Sequence, residues 1–210
     1  MTCRPAVALA SVAALLAVAP AVAEVAVTTD ADAFNAGLVA GGSDVETIAF
    51  VGAPDQGFTS AQILGGIDLG GVTAVGGPDP LRDDVSIDTG RLVIFASDVA
   101  SFGEGMDTFT LTFAEPTLGF GADFNDVGVG ETLLSLDGMA AADLNGLIGG
   151  TDGFVGLTSD TPFTSVTFSA GPSLVLDQFS FDSLSFAVAV PEPATLALLG
   201  LGGLMLRRRR

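Results

Sequence analysis

The stretch Thr108-Phe109-Thr110-Leu111-Thr112-Phe113 alternates without a break. Phe109, Leu111 and Phe113 fall on one side of an extended chain and the threonines on the other. A period of two belongs to a β-strand with one buried face, not to a helix. The pattern returns along the chain. In "LGFGADF", Leu118, Phe120, Ala122 and Phe124 share a face. "TLLSLDG" ends in Asp137-Gly138, a hairpin-type turn. "FTSVTFSA" and "QFSFDSLSFAV" complete the series. In the last, Phe179 and Phe181 have one parity and Leu184 and Phe186 the other. A slip of one residue at Asp182-Ser183 therefore predicts a β-bulge, with the core face continuing across a kink.

One segment departs from this pattern. "TDADAFNAGLVAGG" places Phe34 and Leu38 four apart, with Asp30 as N-cap and Gly41 as the stop, and reads as a short helix. The Gly-rich run "GGIDLGGVTAVGGPDP" reads as turns and loops, and no Lys-Ser/Thr follows it as a phosphate loop would require. The expected fold is all-β, an antiparallel sandwich over residues 24–189 with one short N-terminal helix.

Missing residue types exclude several chemistries. The chain has 210 residues and no histidine, tryptophan or tyrosine; its seven basic residues are all arginine, and its one cysteine is Cys3. A Ser–His–Asp triad is impossible. So are a thiolate nucleophile or a disulfide in the body, and zinc sites built from His and Cys. Between residues 24 and 190, 24 carboxylates stand against Arg82 and Arg91 alone, a formal charge of −22. Such a body repels nucleic acid and anionic lipid, because phosphate binding needs cations.

Each end of the chain has its own logic. Arg4, the apolar run Ala6–Val18, Pro20 and the small-x-small site Ala21-Val22-Ala23 before Glu24 read as a secretory signal peptide over residues 1–23, cut by signal peptidase. Cys3 precedes the apolar run, so it leaves with the leader. At the other end, Val190-Pro191-Glu192-Pro193 leads into thirteen uncharged residues, Ala194–Leu206, and then Arg207, Arg208, Arg209 and Arg210. As a helix this run is about 20 Å long at ~1.5 Å per residue. A hydrocarbon core is ~30 Å thick, so the tail is a weak transmembrane anchor. Arginines mark the cytoplasmic side. Pro191 and Pro193 hold Glu192 extended, as a protease or transpeptidase cleft would take it.

These tail residues resemble the PEP-CTERM sorting signal over residues 190–210. The resemblance implies recognition by exosortase, removal of the helix, and export from a Gram-negative cell to its surface or extracellular matrix. The implied route runs through a transient anchor in the inner membrane. A looser resemblance lies in the body. Phe181-Asp182-x-Leu184-x-Phe186 is similar to the closing strand of secreted jelly rolls of the galactose-binding or carbohydrate-binding type. In those an acidic residue of the last strand can hold a structural Ca²⁺, and Asp182 is the matching position. No other cofactor is expected.

Three function classes follow: a non-catalytic surface or matrix protein associated with exopolysaccharide or biofilm, a spacer without ligand, and a carboxylate-based glycoside hydrolase. A hydrolase needs two carboxylates at a set separation. Asp83-Asp84 and Asp123-Phe124-Asn125-Asp126 are the densest acids. In a strand, Asp123 and Asn125 share a face and Asp126 takes the other. Glycan platforms usually need Trp or Tyr, which this chain lacks. The favoured reading is non-catalytic, with a carbohydrate-binding or Ca²⁺-binding module as the alternative.

Overall fold

Two long strands carry the architecture, and each serves both layers of a sandwich. The computed structural model describes residues 24–79, 84–96, 105–129, 132–137, 142–170 and 177–189. The signal segment and the tail, with Ala21, Ala23, Pro191, Glu192, Pro193 and Arg207 to Arg210, lie outside these residues.

In chain order the elements are β1 (Val25–Thr28), α1 (Ala31–Ala40), β2 (Ser43–Ala49), β3 (Gln56–Gly57), α2 (Ser60–Gly65), β4 (Ile67–Asp68), β5 (Val72–Asp79) and β6 (Val85–Asp88). There follow β7 (Arg91–Ala96), β8 (Gly105–Asn125), β9 (Thr132–Leu136), β10 (Ala142–Asp143), α3 (Leu144–Ile148), β11 (Gly153–Ala170) and β12 (Asp177–Ala189). All strand pairings are antiparallel.

The first half of β8 pairs with β5 on one side and the second half of β11 on the other, and β9 follows beyond β11. The second half of β8 lies between the first half of β11 and β12. β1 extends this layer beyond β11. β2 pairs with the end of β12, while β7 pairs with its start. The crossing points contain proline. Pro116 lies at the bend of β8 and Pro162 at that of β11, where the register shifts between Thr158, Phe163 and Ser165. Proline gives the ladder no N–H, so strands tolerate it where pairing is interrupted.

Phenylalanine joins the layers. Phe168 of β11 packs on Phe109, Phe120, Phe124, Phe179 and Phe181, with ring centroids 5.2–6.3 Å apart. Burying a side chain of this size contributes about 1.5–3 kcal/mol. A buried hydroxyl pins one corner: Thr117 Oγ1 lies 2.6 Å from the Ala187 carbonyl oxygen.

Most strand readings hold. Phe109, Leu111, Phe113, Phe120, Ala122, Phe124, Phe179, Phe181, Leu184 and Phe186 are all buried. Leu118, next to the bend, is half-buried. The register of β12 against β8 shifts between Phe181 and Leu184, as the parity change predicts. In α1, Asp30 accepts from Ala33 N–H at 3.0 Å, Phe34 and Leu38 are buried, and Gly41 is the C-cap.

The Gly-rich run departs from its reading as loop. Ile67–Asp68 and Val72–Asp79 are strands, and Val72 and Ala74 are buried. Gly70 and Gly71, at φ 86° and 82°, make the tight turn between them, and Asp68 Oδ1 accepts from Gly70 N–H. The short helices α2 and α3 were not expected. α2 opens on a capping box, Thr59-x-x-Gln62, with Gln62 Oε1 accepting from Thr59 N–H at 3.0 Å.

Candidate functional site

The β12 bulge does aim a side chain, and the chain itself supplies its partner. Asp182 Oδ1 lies 2.8 Å from Arg91 Nε, with the two side chains 40% and 45% exposed. Asn125 Nδ2 donates to the same oxygen at 3.3 Å. The carbonyl of Asp182 accepts from Phe50 N–H at 3.1 Å. Arg91 is the sole cationic side chain among the described residues. The bulge thus brings β7, β8, β12 and the residue after β2 to one carboxyl-bearing residue. A guanidinium there supplies the positive charge that a bound cation would bring.

Among the described residues, no group of three or more Asp, Glu, His or Cys side chains is gathered as metal ligands are.

The densest acids of the sequence have separate surroundings where the structure describes them. Asp83 lies outside the described residues. Asp123 is exposed on β8. Asp126 falls beyond the strand, contrary to the expectation that it takes the opposite strand face. Its φ of 63° places it in a left-handed turn, and its N–H donates to Asp152 Oδ1 at 2.9 Å. Aspartate tolerates that conformation better than most side chains.

Carboxylates instead cap the backbone throughout. Asp30, Asp55, Asp68, Asp137, Asp152 and Asp160 each accept from a main-chain N–H. Asp137 is the most engaged. It takes the N–H groups of Thr164 and Ser165, both at 2.7 Å, and the Ser165 hydroxyl at 2.6 Å. Partial burial pushes its carboxyl up. The bonds from the Ser165 hydroxyl, the two N–H groups and the Thr164 hydroxyl outweigh this and hold it below the usual carboxylate range. Asp137 and the β11 corner are thereby tied together. Asp137 falls at a turn after β9, while Gly138, the other half of the expected hairpin turn, lies outside the described residues; the partners of Asp137, 27 and 28 residues on, were not legible in the sequence.

Two apolar recesses lie near the end of β12. One, of about 510 Å³, includes Pro116, Leu118, Pro162 and Val188 among its walls, with Glu115 its one carboxylate among the described residues. The other, of about 210 Å³, has Glu46 and Glu115 beside Phe186. Both glutamates are exposed.

The class defined so far is an all-β sandwich, six of whose aspartates accept from its own backbone. Residues 189–210 match the PEP-CTERM protein-sorting motif, so the chain carries a PEP-CTERM sorting signal directly after β12. That motif implies processing by exosortase and export to the surface or outside the cell. No curated protein matches the chain. Among the described residues no helix is long and apolar enough to cross a membrane.

Proposed function

We propose that this is a non-catalytic domain displayed at the cell surface or in the extracellular matrix. The sorting motif at 189–210 carries this reading. The leader is removed by signal peptidase after Ala23, the tail holds the protein briefly in the inner membrane, and exosortase releases it at the Pro-Glu-Pro segment. What arrives is a Phe-cored sandwich with an acidic, solvated surface. Six of its aspartates accept from its own backbone, and the chain lacks histidine. The body stays soluble among polysaccharides and does not engage nucleic acid.

The test replaces Pro191, Glu192 and Pro193 by alanine together. The variant is expected to remain in the membrane fraction with its arginines attached. Release at the wild-type level would overturn the assignment of these residues.

A further inference from the structure

We propose that Asp160 is the docking site of the α-ammonium group created when the leader is cut from Glu24. The inference rests on the export reading above. Glu24 N lies 3.1 Å from Asp160 Oδ1, and the Asp160 N–H donates back to the Glu24 carbonyl at 3.3 Å. Thr161 Oγ1 donates to the same carboxylate oxygen at 3.2 Å. This exchange extends the β1–β11 ladder, whose next pair is Val25 with Ser159.

A peptide N–H needs only a neutral acceptor. Here it meets a full negative charge, in a body that already carries 24 carboxylates against two guanidiniums. Among the described residues no cationic side chain pairs with that charge while Ala23 remains attached. Hydrolysis of the Ala23–Glu24 peptide bond changes this. The C–N bond breaks, water gives its hydroxyl to the Ala23 carbonyl carbon and a proton to the Glu24 nitrogen, and the amine takes a further proton from solvent. The nitrogen beside Asp160 becomes cationic without moving. The bond, charge-assisted already through the carboxylate, becomes an ion pair of ammonium and carboxylate. The residue that bears this cation also carries a carboxylate, that of Glu24 itself. Arg91 is engaged elsewhere, with Asp182.

The consequence is an N-terminus fixed by its own processing. β1 is only four residues long and sits at the edge of its layer. Docking anchors it to the corner where β11 crosses between layers. A start one residue earlier or later would put the ammonium out of reach of Asp160.

The sequence offers a clean readout, because the chain has no lysine and the α-amine is its one amine. Exported protein is reductively dimethylated with ¹³C-formaldehyde and a borohydride reductant, and the labelled methyl signal of the one amine is titrated by NMR, with the N-terminal residue fixed by mass spectrometry. An exposed α-amine titrates near 7.7–8.0 (approximately). Asp160 is expected to raise it by about half a unit relative to Asp160→Asn. A second variant carries a serine inserted between Ala23 and Glu24. It keeps Asp160, moves the amine one residue away, and should titrate like Asp160→Asn. If the exported chain begins elsewhere than Glu24, the leader reading and the docking fall together. If it begins at Glu24 and wild type titrates with either variant, the docking alone is overturned.

Discussion

Phe34 of α1 lies so close to Gly156 of β11 that a Cβ built on the glycine would sit 2.5 Å from Phe34 Cδ2. Gly156 pairs across the ladder with Gly121, where a Cβ would meet Phe154 at 2.6 Å and Phe34 at 2.9 Å. Gly119 has the same relation to Leu38, at 2.7 Å. The three glycines make a flat shelf on the outer face of the layer, and α1 rests on it. In "LGFGADF" one face of the strand holds phenylalanine for the core while the other is kept bare for the helix.

Gly156→Ala should therefore destabilise the exported protein. Overpacking of this kind costs about 1–3 kcal/mol. Urea unfolding measures it, and Phe34→Leu in the same chain should recover part of the loss, since residues in contact do not add. A neutral Gly156→Ala would mean that α1 does not sit on the shelf.

Thr117→Val should also destabilise, by about 1–3 kcal/mol, because the buried Ala187 carbonyl loses its hydroxyl donor. Thr117→Ser keeps the donor and should lie much closer to wild type in the same urea titration.

Asp137 predicts an acid limb of stability. Its folded pKa lies below the ordinary 3.8, so the ionised form is the one that folding favours. The contribution is complete above the unfolded value and disappears as pH falls through the folded one. Thermal unfolding of Asp137→Asn should therefore differ most from wild type at neutral pH, and the difference should shrink as pH falls below the ordinary carboxylate value and through the lowered folded one. A constant difference across that range would detach the effect from ionisation.

Arg91 bears on calcium. With a guanidinium on Asp182, millimolar Ca²⁺ and NaCl of equal ionic strength should raise the melting temperature alike, through general screening of the acidic surface. An excess in Ca²⁺ that vanishes in Asp182→Ala would restore the expectation of a structural ion there.

The parts of this fold legible in the sequence are those written in local periodicity. The alternation at 108–113 and the parity change at Asp182 gave strand, core face and bulge, because a side chain's face depends on its immediate neighbours. α1 was legible for the same reason, from its cap and its i, i+4 pair. The capping box at Thr59-x-x-Gln62 is equally local, and the short helix it opens could have been found from it. Gly119, Gly121 and Gly156 are different. A glycine in a strand shows only an absence, and what fills the space is a helix more than eighty positions earlier. Arg91 and Asp182 likewise stand apart in the sequence and meet through the pairing of β7 with β12. The tail needed no fold to be read, since its prolines, apolar run and arginines are contiguous.

Sorting through that tail is tested most directly by the intact mass of the protein recovered from culture medium, in cells with and without exosortase. With the enzyme, the recovered chain should lack the apolar run Ala194–Leu206 and Arg207 to Arg210. Without it, the protein should stay in the membrane fraction with these residues attached. An exported chain that still carries all four arginines, or release that is indifferent to exosortase, would contradict the proposal.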